Sequence, residues 1–258
     1  MLRLRDAGGA EWFLKCHRDR ERFDAELTAY RTWVAALQGR APRLHAFDES
    51  LRAMILSALP GQPAPWPALQ PGRPGTERTQ ERAVQRAAGA ILRRLHDGLP
   101  AVPWPGFAAD KMRRFNDLRP EVAALLTRRQ LDAARTEIAR LKGIPAPVQV
   151  PCHHDYTPRN WLVHGEAVHV FDFEWSGPDA WVADLARLHL GIWPTRPDLQ
   201  EAFLRGYGRH LGPADRIALH GCAVLTGVWL VLKAHETGQP SFEDTNRRAL
   251  LRLIDQAL

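Results

Sequence analysis

Cysteine, lysine and long apolar runs are scarce in this chain. Three cysteines occur among 258 residues, at positions 16, 152 and 222, with no CxxC spacing. Isolated thiols in odd number build neither a disulfide framework nor a structural zinc site, so a reducing compartment is expected. The most apolar run, AVLTGVWLVL at 223–232, falls far short of the roughly 20 residues a membrane span needs. The opening MLRLRDAGGAEW contains no apolar signal-peptide core. A cytoplasmic protein with no membrane partner is the expectation. Lysine appears four times against 31 arginines, and the formal net charge is +6. No zinc-finger, RNP-type or helix-turn-helix signature accompanies that charge, so it reads as solvated helix faces and nucleic acid is not expected as a partner. Repeats of fixed period and low-complexity segments are absent apart from one proline-rich stretch.

What is present is enough to fold. A 45% hydrophobic composition supports one large domain or two lobes sharing a cleft. LRLRD, AGGA and EWFLKCH read as strand, glycine turn and strand, with Trp12, Leu14 and Cys16 alternating onto one face. From Arg20 the period becomes helical through Phe23, Leu27, Tyr30, Val34 and Leu37, ending near Gly39. A strand at AMILSAL runs into PGQPAPWPALQPGRPG (60–75), which reads as a lobe boundary or linker. Beyond it, helices are expected over TQERAVQRAAGAILRRLHDGL, over 111–142, 180–192, 198–210 and 214–236, and over the closing DTNRRALLRLIDQAL.

One stretch interrupts the helices. In NWLVHGEAVHVFDF two apolar runs flank His164-Gly165-Glu166-Ala167, the pattern of a tight β-hairpin. A turn centred on Gly165 and Glu166 brings Asn160 close to Asp172, and an amide oxygen beside a carboxylate suits a hard cation such as Mg²⁺. Asp155 lies five residues before Asn160, where a carboxylate could orient a hydroxyl and accept its proton. A lone aspartate in a loop is more often a turn or cap residue than a catalyst. His153 reads as a packed, hydrogen-bonded histidine. His153 and His154, adjacent on an extended segment, point to opposite faces and cannot both serve one ion.

The order His153-x-Asp155, Asn160 after four intervening residues, then an apolar strand ending in Asp172, written as HHDYTPRN and FDFE, resembles the catalytic segment of aminoglycoside phosphotransferases and related small-molecule kinases. The resemblance extends through most of the chain. It implies an α+β, bilobal protein-kinase-like fold: a small, truncated N-terminal β-rich lobe with one helix that binds nucleotide (1–60), and a larger, mainly helical C-terminal lobe (61–258) with the catalytic hairpin, metal site and acceptor cleft. By it Asp155 corresponds to the catalytic base, Asn160 and Asp172 hold magnesium, Asp184 braces the catalytic loop, and backbone groups of Ser57, Ala58 and Leu59 in ILSALPG bind the adenine edge. Such a kinase also needs a strand lysine fixed by a helix glutamate. Lys15 and Glu26 are the candidates, Glu26 lying at the edge of the apolar helix stripe where a carboxylate requires a cation. In this family pattern a further strand and glycine-rich loop precede the strand before Lys15, whereas Gly8 and Gly9 fall in the hairpin that follows.

The implied function is Mg²⁺-dependent transfer of the γ-phosphoryl of ATP or GTP to a hydroxyl of a small molecule. Asp179, Glu236, Glu243 and Asp244 suggest an acidic cleft for an aminoglycoside or other basic antibiotic, with choline-like, amino-alcohol or sugar acceptors open. A pseudokinase-like binding module that transfers no phosphate is the alternative. A histidine-aspartate phosphohydrolase built on HHD would need further ligands, and His96 and His189 lack the supporting spacing.

Overall fold

In the computed structural model, which describes residues 1–64 and 75–255, the alternation of the first residues forms strands β1 (Leu2–Arg5) and β2 (Glu11–Cys16), and the helical stripe forms α1 (Arg20–Thr32). In chain order there follow β3 (Leu44–Asp48), β4 (Ala53–Ser57), β5 (Gln62–Pro63), α2 (Gly75–His96), β6 (Val102–Pro103), α3 (Phe107–Val122), α4 (Arg128–Ala139), β7 (Val148–Cys152), β8 (Trp161–His164), β9 (Ala167–Val170), β10 (Gly177–Ala180), α5 (Ala186–Gly191), α6 (Pro197–Tyr207), α7 (Pro213–Glu236) and α8 (Pro240–Asp255). Most of the proline-rich stretch, residues 65–74, lies outside the described residues, as do the last three residues of the C-terminal helix read from the sequence. By spatial proximity the chain divides into two compact units, one of residues 1–101, 150–178 and 198–209, the other of 102–149, 179–197 and 210–258.

The first unit contains a four-stranded antiparallel sheet in the order β1-β2-β4-β3. The register pairs Lys15 with Met54 and Trp12 with Ser57. Phe23 and Leu27 of α1 pack on Met54 and Leu56 of β4, with Tyr30 and Leu44 at the margin. Asp19 caps α1, its carboxylate accepting from Arg22 N–H at 2.9 Å. The helical stripe to Leu37 is α1 followed by a tighter 3-10 turn at Val34–Leu37. The expected hairpin forms as β8 and β9, in register His164 with Ala167, so Gly165 and Glu166 make the turn, and Gly165 has φ +59°. β5 adds a third strand to it.

The second unit is helical around α7, which packs against α3, α4, α5 and α8. The apolar run at 223–232 belongs to this 24-residue helix, which by length and composition alone could cross a membrane; 72% of its most apolar 18-residue window is buried, as in a core helix. Two helical readings need correction. The single helix expected over 111–142 is two, α3 and α4, because Thr127 and Gln130 form a capping box that starts a new helix. Over 180–192 a 3-10 turn at Trp181–Leu185 precedes the short α5. β3 has no counterpart among the strands expected from the sequence.

Candidate active site

Strand periodicity places Lys15 on the face of β2 opposite Leu14 and Cys16. Its ammonium lies 2.6 Å from Glu26 Oε2 on α1 and 2.6 Å from Asp172 Oδ1 beyond β9. Glu174 Oε2 is 3.6 Å away. Glu26 is fully buried, and its other oxygen accepts from Phe173 N–H at 3.3 Å. Burial works to lower the Lys15 pKa, but attraction from Glu26 and then Asp172 outweighs it and holds the ammonium above the ordinary lysine value. The same two carboxylates add to burial in pushing the nearby Tyr30 hydroxyl well above the usual tyrosine range.

The loop between β7 and β8 carries the remaining groups. His153, fully buried, donates from Nε2 to Phe171 O at 3.0 Å and accepts from Asp155 N–H at Nδ1, 3.3 Å. These two partners fix its tautomer and tie the loop to the segment that carries Asp172. Its ring lies 4.8 Å from Phe173 and 5.7 Å from Tyr156. Asn160 donates from Nδ2 to Asp155 O and to Asp155 Oδ2, each at 2.9 Å. With both donors directed at oxygens of Asp155, the amide carbonyl faces the other way. Phe171 N–H donates to Asn160 O at 3.2 Å, so Asp172 follows the residue hydrogen-bonded to Asn160, as the hairpin register requires. Asp172 adopts φ +69°, a left-handed conformation that turns the chain out of β9. An amide oxygen and a part-exposed carboxylate are hard donors of the type Mg²⁺ takes.

The residues named for the adenine edge sit at the end of β4. Ser57 N–H donates to Arg43 O and Ala58 N–H to Glu11 O, at 2.9 and 3.0 Å. Both of those donors are therefore committed to the sheet. Gly8 and Gly9 lie in the β1–β2 turn, which Asp6 closes by accepting from Ala10 N–H at 2.9 Å. Asp184 is buried in the 3-10 turn of the second unit. The four acids put forward for a basic acceptor each face a cation of their own unit: Asp179 with Lys111 at 2.5 Å, Glu236 with Lys233 at 2.9 Å, Glu243 with Arg247 at 2.5 Å and Asp244 with Arg248 at 2.6 Å.

Sequence reasoning assigned no role to five side chains of this cluster. His17 Nε2 is 3.0 Å from the same Glu26 oxygen that Lys15 holds. Glu174 pairs with Arg22 at 3.2 Å, and Arg22 stacks on Trp175 at 4.1 Å. Arg159 pairs with Asp155 through Nε at 3.1 Å and through a terminal nitrogen. His17 stands two residues from Lys15, and Glu174 two from Asp172. The period of two that put Lys15 on a face would have found His17, whereas Glu174 follows the left-handed Asp172 in a turn, where that period does not hold. Arg159, in a 3-10 turn, carries no such signal.

A family model described as APH, the phosphotransferase enzyme family, matches residues 2–220. No curated protein sequence matches the chain. Among solved structures, a choline/ethanolamine kinase family protein from Mesorhizobium loti superposes with a TM-score of 0.70 at 18% identity, covering 94% of this chain and 81% of its own. A thermostable mutant of the aminoglycoside phosphotransferase APH(4)-Ia, in ternary complex with AMP-PNP and hygromycin B, gives 0.69 at 15% identity, with 98% and 88% covered. Choline kinase LicA from Streptococcus pneumoniae gives 0.69 at 14%, with 97% and 88% covered. At such identities the structural likeness carries the fold, and it is the protein-kinase-like α+β fold that the loop motif implied.

Proposed function

Because the chain belongs to the phosphotransferase enzyme family, whose members are kinases of small molecules, we propose that it moves the γ-phosphoryl group of ATP or GTP to a hydroxyl of a small molecule. The observation that carries this reading is Lys15, held 2.6 Å from both the helix glutamate and the aspartate that ends the hairpin segment. A lysine serves phosphates when one carboxylate anchors it and the rest of its donors can turn to the ligand. Glu26 is the anchor, buried and fixed from the backbone of Phe173. Asp172, one-third exposed, is the partner that an incoming phosphate oxygen replaces at the ammonium.

Asp155 is assigned to hold the acceptor hydroxyl and take its proton as the new O–P bond forms and the bond from the γ-phosphorus to the bridging oxygen breaks, releasing the nucleoside diphosphate. Asn160 keeps the Asp155 carboxylate in place from one side, and His153 holds the backbone of the same residue. The Asn160 carbonyl and the Asp172 carboxylate would hold Mg²⁺. A bound Mg²⁺ supplies positive charge against the phosphate oxygens. For the adenine edge, Ser57 and Ala58 are left to contribute carbonyls, with backbone donors coming from Leu59 onward. Residues 1–60 form the nucleotide lobe in this reading and 61–258 the acceptor lobe. ATP as donor is supported by the relative solved with AMP-PNP. Three cysteines with no CxxC spacing support a reducing, cytoplasmic setting.

Transfer from ATP across an acceptor panel tests the assignment. Asp155→Ala should cut turnover by about a hundredfold or more with nucleotide affinity little changed. Equal, small losses in Asp155→Ala and Asp172→Ala would refute the roles. A wild type that binds nucleotide but transfers phosphate to nothing would support the binding-module alternative.

A further inference from the structure

Arg159 occupies a position that the catalytic pattern leaves unspecified, yet it is bound to the proposed base. Its Nε and one terminal nitrogen both reach Asp155 Oδ2, which also accepts from Asn160. The carboxylate is almost wholly buried, whereas the Arg159 side chain is 48% exposed. A guanidinium has five N–H donors in a rigid fork, and a side-on contact through Nε and one terminal nitrogen leaves the other terminal nitrogen directed away from the carboxylate. The exposed end of Arg159 therefore offers a permanent positive charge and further donors within a few ångströms of the oxygen that must meet the acceptor.

We propose that Arg159 is a specificity-determining residue that restricts the acceptor to a polyhydroxylated, sugar-like molecule with no positive charge beside its reacting hydroxyl. This rests on the kinase reading above. A hydroxyl held on Asp155 brings the substituents of its neighbouring carbons into range of the guanidinium. Hydroxyl oxygens there accept its hydrogen bonds, whereas an ammonium held against Asp155 meets a like charge at short range. Asp155 and Arg159 together carry no net charge to attract a cation. Nor do the acids that would otherwise recruit a basic molecule stand ready, since Asp179, Glu236, Glu243 and Asp244 each face a lysine or arginine.

The test measures ATP-dependent phosphorylation of matched acceptors that differ in charge: hexoses and linear polyols against their amino counterparts, glucose against glucosamine among them, and 3,3-dimethylbutan-1-ol against choline. Wild type should prefer the uncharged member of a pair by about tenfold or more. Arg159→Gln should narrow or invert that ratio, and Arg159→Lys, which keeps the charge, should retain the preference. A merely structural role would lower both members equally. Preference for the amino member, or a ratio unchanged in Arg159→Gln, overturns the proposal. So does failure to phosphorylate any uncharged member. Calorimetry with Mg²⁺ and ATP on the same preparations separates the two readings: intact nucleotide binding with the wrong acceptor preference sinks the role of Arg159 alone, and absent binding sinks the kinase reading beneath it.

Discussion

Glu26 shows how one side chain sets the terms for its neighbours. It is a carboxylate with no exposure, and burying it is tolerable only because Lys15 and the Phe173 N–H converge on it. Removing the cation should expose that cost. Lys15→Met is expected to lower unfolding stability by about 3 kcal/mol, the usual loss when one partner of a buried pair is deleted. Urea denaturation measures it, and a change within about 0.5 kcal/mol, the range of ordinary surface substitutions, would mean the pair does not hold α1 to β2. The pH window follows from the raised Lys15 pKa. The stability it contributes is fully present below the ordinary lysine value of 10.5 and is lost only as pH rises through the higher folded value. At neutral pH Lys15 therefore stays charged.

At the scale of elements, α2 and α6 of the first unit meet through their backbones. A Cβ on Gly206 would lie 1.9 Å from Arg86 O, and one on Gly89 would lie 2.1 Å from Phe203 O. In an open helix, glycine to alanine raises stability by about 1 kcal/mol. At this crossing the sign should reverse, with Gly206→Ala destabilising by about 2 kcal/mol or more because the helices must separate. Thermal or urea unfolding that shows a gain would contradict that packing. α2 also packs on β9, and the Tyr156 hydroxyl in the β7–β8 loop donates to Ala88 O at 2.7 Å, next to Gly89. Loosening this crossing should therefore disturb the loop as well.

Elements with a clear apolar period were the legible ones. Helix α1, the Lys15 strand and the hairpin register all follow from periods of 3.6 and 2 in the sequence. β3 escaped because four of its five residues are exposed and its pairing with β4 shifts register between Leu44 and Ala46, so no alternation survives. The break between α3 and α4 was written as Thr127-x-x-Gln130, but the apolar spacing continued past it. In the proposed site, Lys15, Glu26, Asp155, Asn160 and Asp172 were singled out from spacing together with a family resemblance. Arg159 was not, since its significance lies in a contact four residues back in an irregular turn.

At the scale of the molecule, the proposed site is drawn from β2, α1, the β7–β8 loop and the segment after β9, all within the first unit. Separate segments converge on one ammonium, and the use that fits this convergence is to hold a nucleotide phosphate. Isothermal calorimetry of ATP with and without Mg²⁺, on wild type and Asp172→Ala, tests that most directly. Mg²⁺-dependent binding to the wild type is predicted, weakened by about tenfold or more in Asp172→Ala, as loss of a metal-binding carboxylate should do. Binding that ignores Mg²⁺ and survives Asp172→Ala unchanged would contradict it.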